Sequence, residues 1–123
     1  MALSTFILDS RATKRLVKQT VATTTADGDV VGKAPTIYAV HMTNVGGSAA
    51  TAYVKLYDAK TADNTIEPDM NIRIGANQTV GLNFPDGVAF STGLSLRAAQ
   101  QASDVGVSST APADAVVVTI LTD

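Results

Sequence analysis

Hydrophobic and polar positions along this chain alternate with a period of two, the signature of a pleated strand with one buried face. In Ile37-Tyr38-Ala39-Val40-His41-Met42-Thr43-Asn44, Tyr38, Val40 and Met42 share one face and His41 points the other way. Ala52 to Asp58 resumes the pattern, with Val54 and Leu56 opposite Tyr53, Lys55 and Tyr57. Gly46-Gly47-Ser48 separates the two runs, so they predict a hairpin. A polar stretch over 59–68 ends at Pro68, after which Met70, Ile72 and Ile74 alternate with Asn71 and Arg73. Gly75-Ala76-Asn77-Gln78 turns the chain into Val80, Leu82 and Phe84, and Pro85-Asp86-Gly87 predicts a further turn. Strands are expected at Val88 to Ser91 and Leu94 to Ala99, then a Ser-, Gly- and Ala-rich loop from Gln100 to Asp114. Ala115 to Leu121 is apolar on both faces, which predicts a central strand. Upstream, Val and Thr dominate from Leu16 to Thr25, and β-branched side chains suit a pleated surface. Asp27-Gly28-Asp29 ends that first strand with turn chemistry.

Short strands at roughly ten-residue spacing predict two packed antiparallel sheets. Helix has one weak candidate, Ser10 to Lys18, where Ser10 offers an N-cap but Leu16 and Val17 make a poor apolar stripe. The expected fold is all-β: an antiparallel two-sheet sandwich, jelly-roll-like, of about eight strands, with an extended N-terminal arm. Its predicted core is Tyr38, Val40, Met42, Val54, Leu56, Ile72, Ile74, Val80, Leu82, Phe84, Phe90, Leu94, Leu96, Val116, Val118 and Ile120. Aromatic residues are few, at 5%, so that core has little bulk, and homo-oligomerisation would add burial.

Charge divides the chain. Residues 1–20 carry Arg11, Lys14, Arg15 and Lys18 against Asp9, a net of four minus one, or +3, while 21–123 carry five basic and ten acidic groups, or −5. This predicts a basic arm over 1–20 ahead of a mildly acidic β-sandwich domain over 21–123. Four cations within eight residues suit docking on an acidic protein surface or a phosphate backbone. Nucleic acid is disfavoured, because no aromatic platform interleaves with the charges and the overall charge is −2. The start of the chain lacks the basic and apolar regions of a secretory signal, and no run approaches the roughly 18 apolar residues of a membrane-spanning helix. Synthesis in a cytoplasm is therefore expected, without a membrane partner.

Candidate chemistry is sparse. There is no Cys and one His, His41, which rules out thiolate and His-rich zinc sites. His41 lies mid-strand, where a satisfied strand histidine is the simpler account than a triad base. Gly93-Leu94-Ser95-Leu96-Arg97 lacks the second Gly of a nucleophile elbow. Asp27 and Asp29, or Asp63, Glu67 and Asp69, offer hard oxygens for calcium, but neither set has EF-hand spacing. Turn formation and solubility explain them, and no cofactor or metal is expected. Tyr53 and Tyr57, on one strand face, are candidates for stacking on a sugar or filling a protein interface.

The segments Tyr38 to Asn44, Gly46 to Ala50 and Tyr53 to Asp58, with Phe84-Pro85-Asp86-Gly87-Val88-Ala89-Phe90-Ser91-Thr92-Gly93-Leu94-Ser95-Leu96 and Asp114 to Val118, resemble small structural proteins of tailed bacteriophage particles. The resemblance covers residues 36 to 121 and is carried by turns and strands. It implies a non-enzymatic virion component, a capsid decoration or cement protein that binds the outer surface of the major capsid protein lattice as a homo-oligomer such as a trimer. The basic arm, with Arg11, Lys14, Arg15 and Lys18, lies outside the resemblance and is the candidate docking element. Alternatives from the same reading are a carbohydrate-binding head-fibre or tail module using Tyr53 and Tyr57, or another component of the tail or connector.

Overall fold

The computed structural model describes residues 3–7, 15–19, 22–45 and 50–123, with the backbone alone at 4–7 and 15. It contains eight strands: β1 (Leu3–Ile7), β2 (Arg15–Gln19), β3 (Thr36–Val45), β4 (Ala52–Tyr57), β5 (Met70–Ile74), β6 (Thr79–Ala89), β7 (Ser95–Ala99) and β8 (Ala115–Thr122). They form two antiparallel sheets, β1-β2-β8-β3-β6 and β5-β4-β7. The segment following β2 extends the smaller sheet. Ala98 N donates to Thr23 O at 2.8 Å, Asp27 and Leu96 exchange both backbone bonds at 2.9 and 3.0 Å, and Val30 N reaches Leu94 O at 3.0 Å. Counting this segment as a strand, the sheets read β2-β8-β3-β6 and (23–30)-β7-β4-β5, the jelly-roll order, with β1 added at one edge.

That order overturns the predicted hairpin of β3 with β4. These neighbours in sequence lie in different sheets: β3 pairs with β6 and β8, whereas β4 pairs with β5 and β7. Strand β8 sits centrally between β2 and β3, as its two apolar faces require. Val116, Val118 and Ile120 fill the sandwich, along with Val17, Ile37, Val40, Met42, Val54, Leu56, Ile74, Phe90, Leu94 and Leu96. Ile72, Val80 and Phe84 pack against this core half-buried, and Leu82 is also half-buried.

Two expectations fail around one irregularity. Between Ile37 and Ala39 the register to β6 jumps from Val88 to Asn83, so Phe84 to Gly87 together oppose Tyr38. Against β8, Tyr38 is itself the extra residue, since Ile37 pairs with Thr122 and Ala39 with Leu121, and this inverts the alternation: Ile37 takes the core position and Tyr38 turns out. Pro85-Asp86-Gly87 therefore does not reverse the chain, and β6 runs through it. Gly87 is at φ +79°, and a Cβ there would lie 2.3 Å from Thr36 Cγ2, so no other residue fits without displacement.

The charge boundary at residue 20 is not an architectural one. β1 and β2 pair as an antiparallel ribbon, and β2 continues the larger sheet through β8. Val17 and Gln19 are fully buried, so what the charge pattern marks as an extended arm contributes strands to the sandwich. The predicted strand Leu16 to Thr25 divides between the sheets: β2 ends at Gln19, Ala22 N still donates to Val116 O of β8 at 3.0 Å, and from Thr23 onward the chain pairs with β7 of the other sheet.

Candidate functional site

Of the four arm cations, Arg11 and Lys14 lie outside the described residues. The Arg15 backbone pairs with Ile7 and Thr122. Lys18 is exposed on the outer face of the larger sheet, in register with Thr119. In that row Thr119 pairs with His41 and His41 with Gly81. The exposed His41 ring lies over Gly81, whose Cβ, if present, would stand 3.2 Å from the ring. His41 is thus a side chain roofing a glycine on a sheet surface.

The tyrosines part company. Tyr53 is half-buried, whereas Tyr57 is fully buried and not available for stacking on a ligand. Both project from the face of β4 opposite the core, but the loop 100–114 covers that face. It is tied down by Gln100 N to Thr110 O at 2.9 Å, Thr110 N to Gln101 Oε1 at 2.9 Å and Gly106 N to Asn64 O at 2.8 Å. The expected outward face is therefore a second interior.

Under this strap lies the densest polar cluster described. Lys55 on β4 and Arg97 on β7 are direct cross-strand partners, an arrangement of like charges that destabilises a sheet. Both are buried, at 0% and 1% exposure. Asp104, descending from the strap, bridges them: Lys55 Nζ donates to Oδ1 at 2.8 Å and Arg97 Nη2 to Oδ2 at 2.7 Å. Ser109 Oγ donates to Oδ2 at 2.7 Å, Lys55 Nζ also reaches Ala102 O at 3.2 Å, Arg97 Nε reaches Thr24 O at 3.1 Å, and Arg97 Nη1 donates to the Tyr57 hydroxyl at 3.0 Å. Burial alone would raise the Asp104 carboxyl, but the hydrogen bonds from Arg97, Lys55 and Ser109 outweigh it and hold the group far below its ordinary value. Burial pushes the Tyr57 phenol up against the opposing effect of Arg97. Arg97 is lowered by burial but ends above its ordinary value through Asp104 and Tyr57.

Sequence reasoning missed this cluster, though a signal was present. Lys55 stands between Val54 and Leu56, and Arg97 ends Leu94-Ser95-Leu96, so each cation interrupts an apolar strand that has no obvious wet face. Such residues need a buried anion, and the 100–113 stretch holds one acid, Asp104.

Of the acidic groups weighed as calcium ligands, Asp63, Asp69 and Asp27 are occupied locally, while Asp29 Oδ1 is buried without a hydrogen-bond partner. Asp63 Oδ1 accepts from Thr65 N at 2.8 Å, Asp69 Oδ2 from Asp58 N at 2.7 Å, and Asp27 Oδ2 from Gln19 Nε2. Among the described residues no three His, Asp or Glu side chains gather as a metal site. Asp58 closes the opposite end of the sandwich, accepting from Ser91 N at 2.8 Å, Thr92 N at 2.7 Å and Gly93 N at 3.3 Å. The Ser91 amide first, then those of Thr92 and Gly93, lower its carboxyl. A half-open pocket of about 150 Å³ is lined by Thr61, Ala62, Asp63, Thr65 and Ile66. Among the described residues no helix is long and apolar enough to cross a membrane.

With the architecture and its charges placed in this way, no protein-family model, no curated protein and no solved structure matches the chain.

Proposed function

We propose that this chain is a non-enzymatic structural protein of a tailed-phage virion, a decoration or cement protein that binds the outer surface of the major capsid protein lattice. What supports the reading is the resemblance of residues 36–121 to such proteins, together with a convergent charge that is spent inside the protein. Lys55, Arg97 and Asp104 meet inside the protein, with both carboxylate oxygens already hydrogen-bonded, and their work is to clamp a strap onto a sheet. Among the described residues the exterior presents strand faces, hydrogen-bonded loops and single exposed apolar side chains, Leu3, Val45, Ile66 and Val107, a surface compatible with adhesion. A Cys-free sandwich also suits a particle that leaves its cell, since no thiol–disulfide exchange can alter it.

The basic segment 1–20, with Arg11, Lys14, Arg15 and Lys18, is the docking element in this reading. Because β2 is part of the sheet, the test neutralises charge and leaves the strand in place. Full-length protein with all four replaced by Gln should lose at least about tenfold in binding to empty shells of the capsid protein encoded in the same genome. Binding of the wild type to glycans and not to shells would refute the proposal.

A further inference from the structure

The larger sheet ends in β6, which pairs with β3 on one side and with no described strand on the other. Which of its backbone groups face that open side follows from one bond. Asn44 N donates to Gln78 O at 3.0 Å, and bonded and non-bonded pairs alternate along an antiparallel ladder, so Met42 with Val80 and Val40 with Leu82 carry the ladder between β3 and β6. The far side of β3 agrees. Ala22 N reaches Val116 O on the β2 side of β8, which leaves Val117, Thr119 and Leu121 to bond Thr43, His41 and Ala39. The N–H and C=O groups of Thr79, Gly81 and Asn83 therefore point outward from the edge of the sheet.

Sheet edges are ordinarily blocked by charge, proline, a bulge or shortness. β6 is the longest described strand at 11 residues, and its Pro85 and its bulge lie beyond Phe84; from Thr79 to Phe84 it carries neither charge nor proline. The open edges of the smaller sheet differ: the 23–30 segment carries Asp27 and Asp29, and β5 has 5 residues with Arg73 among them. Val80, Leu82 and Phe84 stand on the core side of β6 yet are only half-buried, since no described residue pairs with the strand on its open side.

We infer that β6 is a self-association edge: the stretch from Thr79 to Phe84 pairs antiparallel with the same stretch of a second copy about a two-fold axis at Gly81, joining the larger sheets of two copies into one. A two-fold contact sets a strand against itself reversed. Thr79 then opposes Asn83 of the second copy, Gly81 opposes Gly81, and each such pair exchanges both backbone bonds, about six in all. Between them Val80 opposes Leu82 of the second copy, and each covers the side that the other leaves open. Gly81, with no side chain, keeps the axis clear for the His41 ring that lies over it. The register sets Asp86 against the turn from Gly75 to Gln78, which is uncharged, and on the same flank β5 directs Arg73, the cross-strand partner of Tyr53, to the outer face of the smaller sheet. Like charges therefore do not meet. Joining β6 to β1 of the next copy would instead be heterologous and would leave an open row of copies.

A contact of six residues is about 20 Å long and one strand wide, well under the roughly 1,200 Å² of a standard interface. The dimer is therefore weak, and the test traps it. This inference stands independently of the virion reading, since it concerns the chain alone in solution.

The chain has no Cys, so introduced thiols are the only ones present. Full-length Thr79→Cys/Asn83→Cys, shown to be folded by far-UV circular dichroism and mildly oxidised, should form a disulfide-linked dimer, because bonded partners stand about 5.5 Å apart at Cα, within disulfide reach. Thr79→Cys alone and Asn83→Cys alone should stay monomeric, since each thiol then lies about four residues, roughly 14 Å, from its counterpart. Sedimentation velocity of the wild type from about 5 to 500 µM should show monomer passing towards dimer. Asn83→Pro removes an outward donor and no bond to β3, so the folded variant should associate at least about tenfold more weakly. Failure of the double variant to cross-link overturns the inference. So do single variants that cross-link as well as the double, a wild type that stays monomeric at the highest concentration, and association that folded Asn83→Pro leaves unchanged. Growth beyond the dimer would point to the head-to-tail pairing with β1 and overturn the two-fold one.

Discussion

Replacing Asp104 with Asn tests the account of the buried cluster, because it removes one charge and almost no volume. Lys55 and Arg97 are direct cross-strand partners, buried at 0% and 1% exposure, and with one carboxylate the cluster holds two positive charges and one negative, a net of +1. Asp104→Asn raises this to +2 and leaves two facing cations without an anion. Removing one partner of a buried pair costs about 3–5 kcal/mol. Unfolding entropy of about 2.1 cal/mol/K per residue gives roughly 0.26 kcal/mol/K for 123 residues, so the melting temperature should fall by about 12–19 °C. Lys55→Met is the decisive control. It gives up two hydrogen bonds, to Asp104 and Ala102, but lowers the net charge to zero and leaves the Arg97–Asp104 pair whole. Its cost should be smaller, about 1–2 kcal/mol. Urea titration at pH 7, followed by far-UV circular dichroism and tyrosine fluorescence, measures both. Lys55→Met matching or exceeding Asp104→Asn would refute the charge-balance reasoning, and so would a loss under about 1 kcal/mol for Asp104→Asn.

The same cluster fixes a pH dependence. The Asp104 carboxyl is held far below its ordinary value, so its contribution is fully present above the unfolded-state pKa near 4 and is lost progressively as pH falls below that towards the folded-state value. Wild-type stability should therefore drop between about pH 5 and pH 2, with a shallower slope in Asp104→Asn; parallel slopes in acid titrations of the two would contradict this. At the bulge, Gly87→Ala meets both a φ of +79° and a Cβ position 2.3 Å from Thr36, whereas Gly32→Ala meets φ +71° in open space. Gly32→Ala should cost about 1 kcal/mol and Gly87→Ala clearly more, and equal urea midpoints would show that the Thr36 contact relaxes freely.

Local pattern was enough to settle the class of this fold. Period-two alternation at Val54/Leu56, Met70/Ile72/Ile74 and Val116/Val118/Ile120 has one low-energy solution, a half-buried strand, and β8's two apolar faces placed it centrally because burying both requires neighbours on either side. Those signals are each readable within a few residues. Which strands pair is a long-range matter, and there local reading failed. A short Gly-rich link between β3 and β4 looks the same whether the chain turns back in its own sheet or crosses to the other, and only burial of both sheets' inner faces decides. The bulge at Tyr38 was hidden for a related reason: Tyr38 is the extra residue of β3 against β8, and Phe84 to Gly87 oppose it in β6, so its place is set by partners more than forty positions away.

The candidate surfaces divide along the same line. A basic stretch and a pair of tyrosines were legible in the chain, but not that β2 would be stitched into a sheet or that a strap would fold over Tyr57. It took the folded arrangement to reveal that Lys55 and Arg97, 42 residues apart and outwardly ordinary, stand side by side under Asp104. Charge on a strand reads as solvent exposure until another part of the chain removes the solvent, and that removal is a property of the folded molecule as a whole.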